Sequence, residues 1–446
     1  MYQTQTRRQK IKLFLILFFP ILIYQTANYS AGFIDTMMTG QFNTMDLAGV
    51  GMATSLWSPF FTFLTGIVAA LIPIVSHHLG EGKKEKIASD LWQFIYLALI
   101  LSVILFLLVF FGAGPALGSM GLDSHVLDVA KGYLFYLMFG IPPLLLFSVF
   151  RSFFDAHGLT RLSMYLMLLL LPLNSTFNYI LIYGKLGLPQ MGGAGAGLGT
   201  TLAYWVLFFI SLAIIRFHPK IASYQLWRVR SFEPKGFSEG LRLGLPIGGS
   251  VFAEVGIFAA IGLWMAKFDS LVIASHQAAM NFSTLLYAFP FAVSSTMAIV
   301  VAYEVGAARP KDAKSYSTIG RLIALGFAFV SLIGLYVSRE NISGLYGSGS
   351  DFLSLTSTFL TYALCFQLGD AIAAPLQGIL RGYKDTTVPF MLMVFSYWAI
   401  PWPIGFYLDA TTQLGPYAYW IGLCACIFVC GALLQWRLWQ VEKRYK

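Results

Sequence analysis

The sequence predicts an all-α membrane protein of twelve transmembrane helices arranged as two pseudo-symmetric six-helix bundles. Three observations carry that expectation. Of 446 residues, 57% are hydrophobic and only 11% charged, with mean hydropathy +0.71, whereas soluble domains carry roughly 25% charged residues. Twelve apolar runs are each long enough to span a bilayer. A shift of the chain by 226 residues also aligns its two halves without a gap, pairing Gly80 with Gly306, Tyr136 with Tyr362, Thr160 with Thr386 and Met167 with Met393.

In order, the runs are 11–38, 46–76, 91–113, 126–150, 162–184, 192–216, 240–267, 271–302, 320–338, 352–380, 387–408 and 416–437. The first is too long for the core of a signal peptide and is expected to stay as a helix. The 29 Lys and Arg residues test the division. The two termini and the alternate loops beginning HHLGEGKKEK, FRSFFDAHGLTR, the 216–242 connection, VGAARPKDAK and LRGYKD hold 25 of them, and the opposite loops hold only Lys131, Lys185, Lys267 and Arg339. By the positive-inside rule both termini are expected in the cytoplasm, with the chain multi-pass in the cytoplasmic membrane.

The 216–242 connection is the longest and most basic, and six runs lie on either side of it. It sets the expected boundary between lobes, residues 1–220 and 221–446. An even number of spans per half makes the halves parallel repeats about an axis normal to the membrane, facing each other across a central cavity.

Within the runs, Pro20, Pro142 with Pro143, Pro172, Pro246, Pro290 and Pro375 are placed to bend helices, and Pro401 and Pro403 to interrupt one. The sixth run opens with Gly193, Gly195, Gly197 and Gly199, which suits close helix packing. Its spacing is not a dinucleotide fingerprint, and GEGKK is not a phosphate loop. His77, His78 and Glu81 are better explained as a membrane-end loop than as metal ligands, and the four cysteines, all in apolar runs, as packing residues.

Three acids stand where the bilayer penalises charge. Glu254 is near the middle of LGLPIGGSVFAEVGIFAAIGLWMA, Asp370 is just past the middle of its run, and Asp35 is at the outer end of the first. A charge at mid-membrane costs about 2.5–3.5 kcal/mol on insertion scales. The other 17 of 20 acids fall in loops or at helix ends. Asn174 and Asn178, four apart on one helix face, are expected at the depth of Asp35 and Thr200, and these four can coordinate a hard cation or form a proton-sensitive network. Phe258 lies one turn after Glu254, so acid and ring can share an organic cation, with Gln277 and Gln367 as neutral polar partners.

With IDTMMTGQFNTMDLAGVGMA, SHQAAMNFSTLLYAFPFAVSS and GDAIAAPLQGILRGYKDT in these places, essentially the whole chain resembles the multidrug and toxic compound extrusion (MATE) family, in its NorM-like branch. The resemblance implies alternating-access export of cationic, polyaromatic drugs and dyes in exchange for inward Na⁺ or H⁺. It assigns coupling-cation binding to Glu254 and Asp370 and to the set Asp35, Asn174, Asn178 and Thr200. Na⁺ is expected at Glu254 and Asp370, and drug contacts at Asp35, Glu254, Phe258, Gln277 and Asp370. Archaeal members carry a second aspartate where this chain has Asn178.

The implied partners are small cationic molecules and the lipid bilayer, with no cofactor and a functional monomer. The net charge of +9 resides in short loops, so a nucleic-acid partner is not expected. The alternative within the same superfamily is a flippase for lipids or lipid-linked saccharides, which needs a basic cavity for phosphate. No catalytic residues are expected: of six histidines only His276 is inside a run, and no HExxH is present.

Overall fold

The computed structural model describes residues 4–344 and 349–445, which form helices joined by short connections. In chain order these are α1 (Arg7–Phe42), α2 (Thr44–Val68), α3 (Leu71–Glu81), α4 (Lys84–Gly118), α5 (Ser124–Met138), α6 (Ile141–Ala156), α7 (Thr160–Tyr183) and α8 (Gly193–Phe217). The short α9 (Pro219–Ala222) leads to α10 (Pro234–Trp264), α11 (Ser270–Gly306), α12 (Pro310–Gly344) and α13 (Ser350–Gly382). The chain ends in α14 (Thr387–Ala399), α15 (Pro401–Thr411) and α16 (Tyr417–Arg444). Among the described residues, eleven stretches are long and apolar enough to cross a membrane, and twelve when α5 and α6, bent by 52°, count as one span.

Helices run past the apolar segments at many ends, α1 from Arg7 and α16 to Arg444, because i→i−4 hydrogen bonding continues wherever propensity allows. The prolines divide into two kinds. Pro142 and Pro143 open α6, and Pro401 opens α15, so each follows a break. Pro20, Pro172, Pro246, Pro290 and Pro375 lie inside unbroken helices.

Packing divides the chain into Ile23–Gly248 and a second unit of Met1–Leu22 with Gly249–Lys446. The expected lobes, 1–220 and 221–446, follow the repeat in sequence, whereas these units follow packing. Both packing boundaries fall inside helices, α1 and α10, and Leu22 and Gly248 are separated by the same 226 residues that align the halves.

In the unit Ile23–Gly248, the start of α10 lies tightly against α2: a Cβ on Gly66 would come within 2.7 Å of Gly248 Cα. The α9–α10 connection docks on α4, where Trp92 Nε1 donates to Leu226 O (3.0 Å) and Gln93 Nε2 to Ser231 O (3.0 Å).

The other unit is built around α13, whose buried face includes Phe359, Phe366 and Asp370. The chain start docks within it at the α11–α12 corner. Lys10 Nζ pairs with Asp312 (2.5 Å), and Thr4 shares a 2.8 Å hydrogen bond with the Tyr316 hydroxyl.

Candidate functional site

In the unit Ile23–Gly248 the four polar residues singled out from sequence converge. Asn174 and Asn178 present their amides from one face of α7, and both Nδ2 atoms donate to Asp35 Oδ1 at 2.5 Å. From α8, Thr200 Oγ1 donates to Asp35 Oδ2 and to Asn174 Oδ1, each at 3.3 Å. Asp35 is half-buried, while Asn174 and Asn178 are fully buried.

Gly199 makes this approach possible, since a Cβ there would collide with Asn178 Oδ1. That oxygen is itself buried without a hydrogen-bond partner. The cluster thus offers carboxylate, amide and hydroxyl oxygens to one small volume, a donor set suited to a proton or a hard cation.

In the second unit Glu254 (α10) and Asp370 (α13) are 4% and 1% exposed, and each lies in the field of the other. Tyr287 from α11 hydrogen-bonds Glu254. Neither carboxylate oxygen of Asp370 has a hydrogen-bond partner. The Tyr397 hydroxyl of α14 is buried beside the Cys430 thiol and feels both acids. An ionised carboxylate without partners in such a place is strongly disfavoured, and two neighbouring acids repel. The pair is therefore relieved by whatever brings positive charge: a proton, a metal cation or an organic cation.

Three further acids are buried, which sequence reasoning had left among loops and helix ends, and each has local partners. Asp155 accepts from Tyr24 (3.0 Å) and Ser163 (2.6 Å). Asp46 pairs with His125 (2.6 Å) and caps the Gly193 N–H of α8 (2.7 Å). Glu304 lies 2.7 Å from the Arg309 guanidinium. Only Ser163 near Asp155 and Arg309 near Glu304 were signals within reach in sequence; Tyr24 and His125 come from 131 and 79 residues away.

Two expectations are corrected in detail. Arg381, assigned by sequence to a loop, sits in the last turn of α13, where it is partly buried and its charge acts on Glu254. The helix simply continues past the apolar run. Gln277 is exposed on α11 and, at 1.5 Å per residue, about 15 Å of helix rise from Tyr287. It stands on the exposed side of α11, away from the Tyr287 hydroxyl that bonds Glu254.

Phe258 is half-buried and packs edge-on to Phe366 with ring centroids 5.1 Å apart. Gln367 Nε2 donates to Ser283 O at 3.4 Å, joining α13 to α11. His77 pairs with Glu81 and His78 with Asp90. Among the described residues no three His, Cys, Asp or Glu side chains form a metal-ligand group.

A family model described as MatE matches residues 20–180 and 246–407. The "Probable multidrug resistance protein NorM" of Streptococcus pneumoniae strain R6 is 60% identical over 446 residues, covering 100% of this chain and 98% of that protein. Its namesake from Bacillus subtilis strain 168 is 44% identical, covering 100% and 99%. The crystal structure of the eukaryotic MATE transporter AtDTX14 matches with a TM-score of 0.87 at 18% identity, over 99% of this chain and 100% of that one.

Proposed function

The chain belongs to the MATE family, in its NorM-like branch, and from that premise we propose that it is a multidrug efflux transporter, not an enzyme, exporting cationic, polyaromatic compounds in exchange for inward Na⁺ or H⁺. The observation that carries this reading is Asp370, whose two buried oxygens lack hydrogen-bond partners next to Glu254. Such a group is stable only when neutralised, so the coupling ion and the drug cation take turns on it. An ion arriving from outside displaces the drug, and the neutralised site can then turn inward and release the ion where it is scarce. Access alternates between the two sides of the membrane.

Asp35, Asn174, Asn178 and Thr200 form a second cation- or proton-responsive set in this reading, and Asp35, Glu254, Phe258 and Asp370 supply contacts to the drug. Arg381 places a fixed positive charge near Glu254 that partly offsets the cost of burying that acid. The basic residues gathered in alternate loops favour cytoplasmic termini. Each copy holds both acid sites, so a monomer suffices. A flippase for phosphate-bearing lipids fits poorly with a buried pair of acids.

Ethidium efflux from vesicles under separately imposed Na⁺ and proton gradients tests the proposal. Export is expected to follow at least one gradient, and Glu254→Gln or Asp370→Asn should reduce it tenfold or more at unchanged expression. Full gradient-driven export by both variants overturns the coupling role.

A further inference from the structure

All four cysteines of the chain are on α13 and α16, and two of them meet. The thiols of Cys365 (α13) and Cys424 (α16) are in hydrogen-bond contact. Cys424 Sγ also donates to the Tyr362 carbonyl, 3.4 Å away and one turn before Cys365. The helices are clamped at this level by Tyr362 stacked on Tyr417 with centroids 5.7 Å apart, by Phe359 against Tyr417 at 5.0 Å, and by a Tyr417–Thr358 hydrogen bond. Packing therefore holds the two sulfurs together.

Access to them is unequal. Cys365 is exposed, whereas Cys424 is 8% exposed and Cys426 and Cys430 are fully buried. Ser354, Ser357, Thr358 and Thr361 of α13, with Arg339 and Glu340 of α12, line a cavity of about 560 Å³. Thr361 precedes Cys365 by one turn on the same helix face. Leu353 and Tyr362 complete the lining, and Thr361 and Tyr362 bring it within one turn of Cys365 along α13.

We propose that Cys365 and Cys424 are a peroxide-oxidisable thiol pair, with the exposed Cys365 oxidised first and Cys424 resolving it into a disulfide that ties α13 to α16. The Cys365 thiolate attacks one oxygen of hydrogen peroxide, the O–O bond breaks, and the leaving hydroxide takes a proton to form water, which leaves a sulfenic acid. The Cys424 sulfur attacks the sulfenic sulfur, the S–O bond breaks, and the Cys424 proton leaves with the hydroxyl as a second water. Two thiols lose two electrons and one hydrogen peroxide gains them. The cross-link falls five residues before Asp370 on α13, so it restrains the helix that carries a coupling acid of the proposed function, although the oxidation itself does not depend on that reading.

The test treats membranes containing the full chain with hydrogen peroxide, then denatures them and labels free thiols with a maleimide-polyethylene glycol. Two of the four labels are expected to be lost, to return with dithiothreitol, and to coincide with a Cys365–Cys424 cross-linked peptide in mass spectra. Cys365→Ser should keep its three remaining labels through peroxide. Cys424→Ser should accumulate a dimedone-reactive Cys365, a readout that needs no disulfide. Four labels surviving peroxide in the parent chain, label loss persisting in Cys365→Ser, or a cross-link between another pair overturns the proposal. Cys426→Ser, treated alike, reports whether a serine on these helices alone disturbs the fold.

Discussion

Asp370 and Asp155 are equally buried aspartates with opposite surroundings, and the contrast separates the acid proposed to bind cations from one held by partners. Asp155 receives hydroxyls from Tyr24 and Ser163, with Arg151 5.0 Å from the Tyr24 ring. Asp370 receives none. Removing a partnered carboxylate strands its donors at about 1–3 kcal/mol, whereas neutralising an unpartnered one removes a penalty. Asp155→Ala is therefore expected to lower the melting temperature of purified protein, and Asp370→Asn to hold or raise it while efflux is lost. In the other cluster, Gly199→Ala should push the Asn178 amide away from Asp35. Its effect on efflux should approach that of Asp35→Asn, with a stability loss of about 1–3 kcal/mol from overpacking. His157, just past the end of α6, is buried with Nδ1 on the Phe153 carbonyl (2.8 Å). Burial depresses it to about 4, a hydrogen bond to that carbonyl opposing. The unfolded chain then binds the proton more readily, so this group's stabilisation is complete above about pH 6.5 and is lost as pH falls toward 4. Melting temperature should decline across that window in the parent, and less steeply in His157→Gln.

At the scale of elements, the leading part of each half behaves alike. Residues before Leu22 pack with Gly249–Lys446, and residues before Gly248 pack with the segment that starts at Ile23. In the first case Lys10, 8% exposed at its side chain, reaches Asp312 at the start of α12. In the second, Gly66 and Gly248 allow backbones to touch, and the Gln93 side chain holds the incoming chain at Ser231 and Glu233. Lys10→Asp or Asp312→Lys alone is expected to destabilise the protein by about 1–3 kcal/mol, and the double exchange to recover most of the loss. A double-mutant cycle on thermal unfolding measures the coupling. Full additivity would show that α1 is held by its apolar face instead. Which prolines break helices is also decided at this scale. Pro142 and Pro143 start α6 after a bend of 52°, while Pro290 stays inside the 37-residue α11. A single proline removes one hydrogen bond, which neighbours can offset, but two in succession remove two and both rings clash with the preceding turn.

Across the whole molecule, the sequence by itself determined the membrane class, the number of spans, the 226-residue repeat and which three acids stand within apolar runs. Each of these is written in local quantities: hydropathy over about 20 residues, charge in loops, and polar side chains at helical spacing. It also brought Asp35, Asn174, Asn178 and Thr200 together correctly, because i and i+4 on one helix and matched depth on two others constrain position strongly. Tertiary structure alone decided what depends on the other side of each contact. Nothing local tells that Asp155 meets Tyr24 from 131 residues away, that Asp370 meets no donor, or that the Arg381 charge reaches Glu254. Burial and partnership are properties of the space between helices, and that space exists only once the helices have packed.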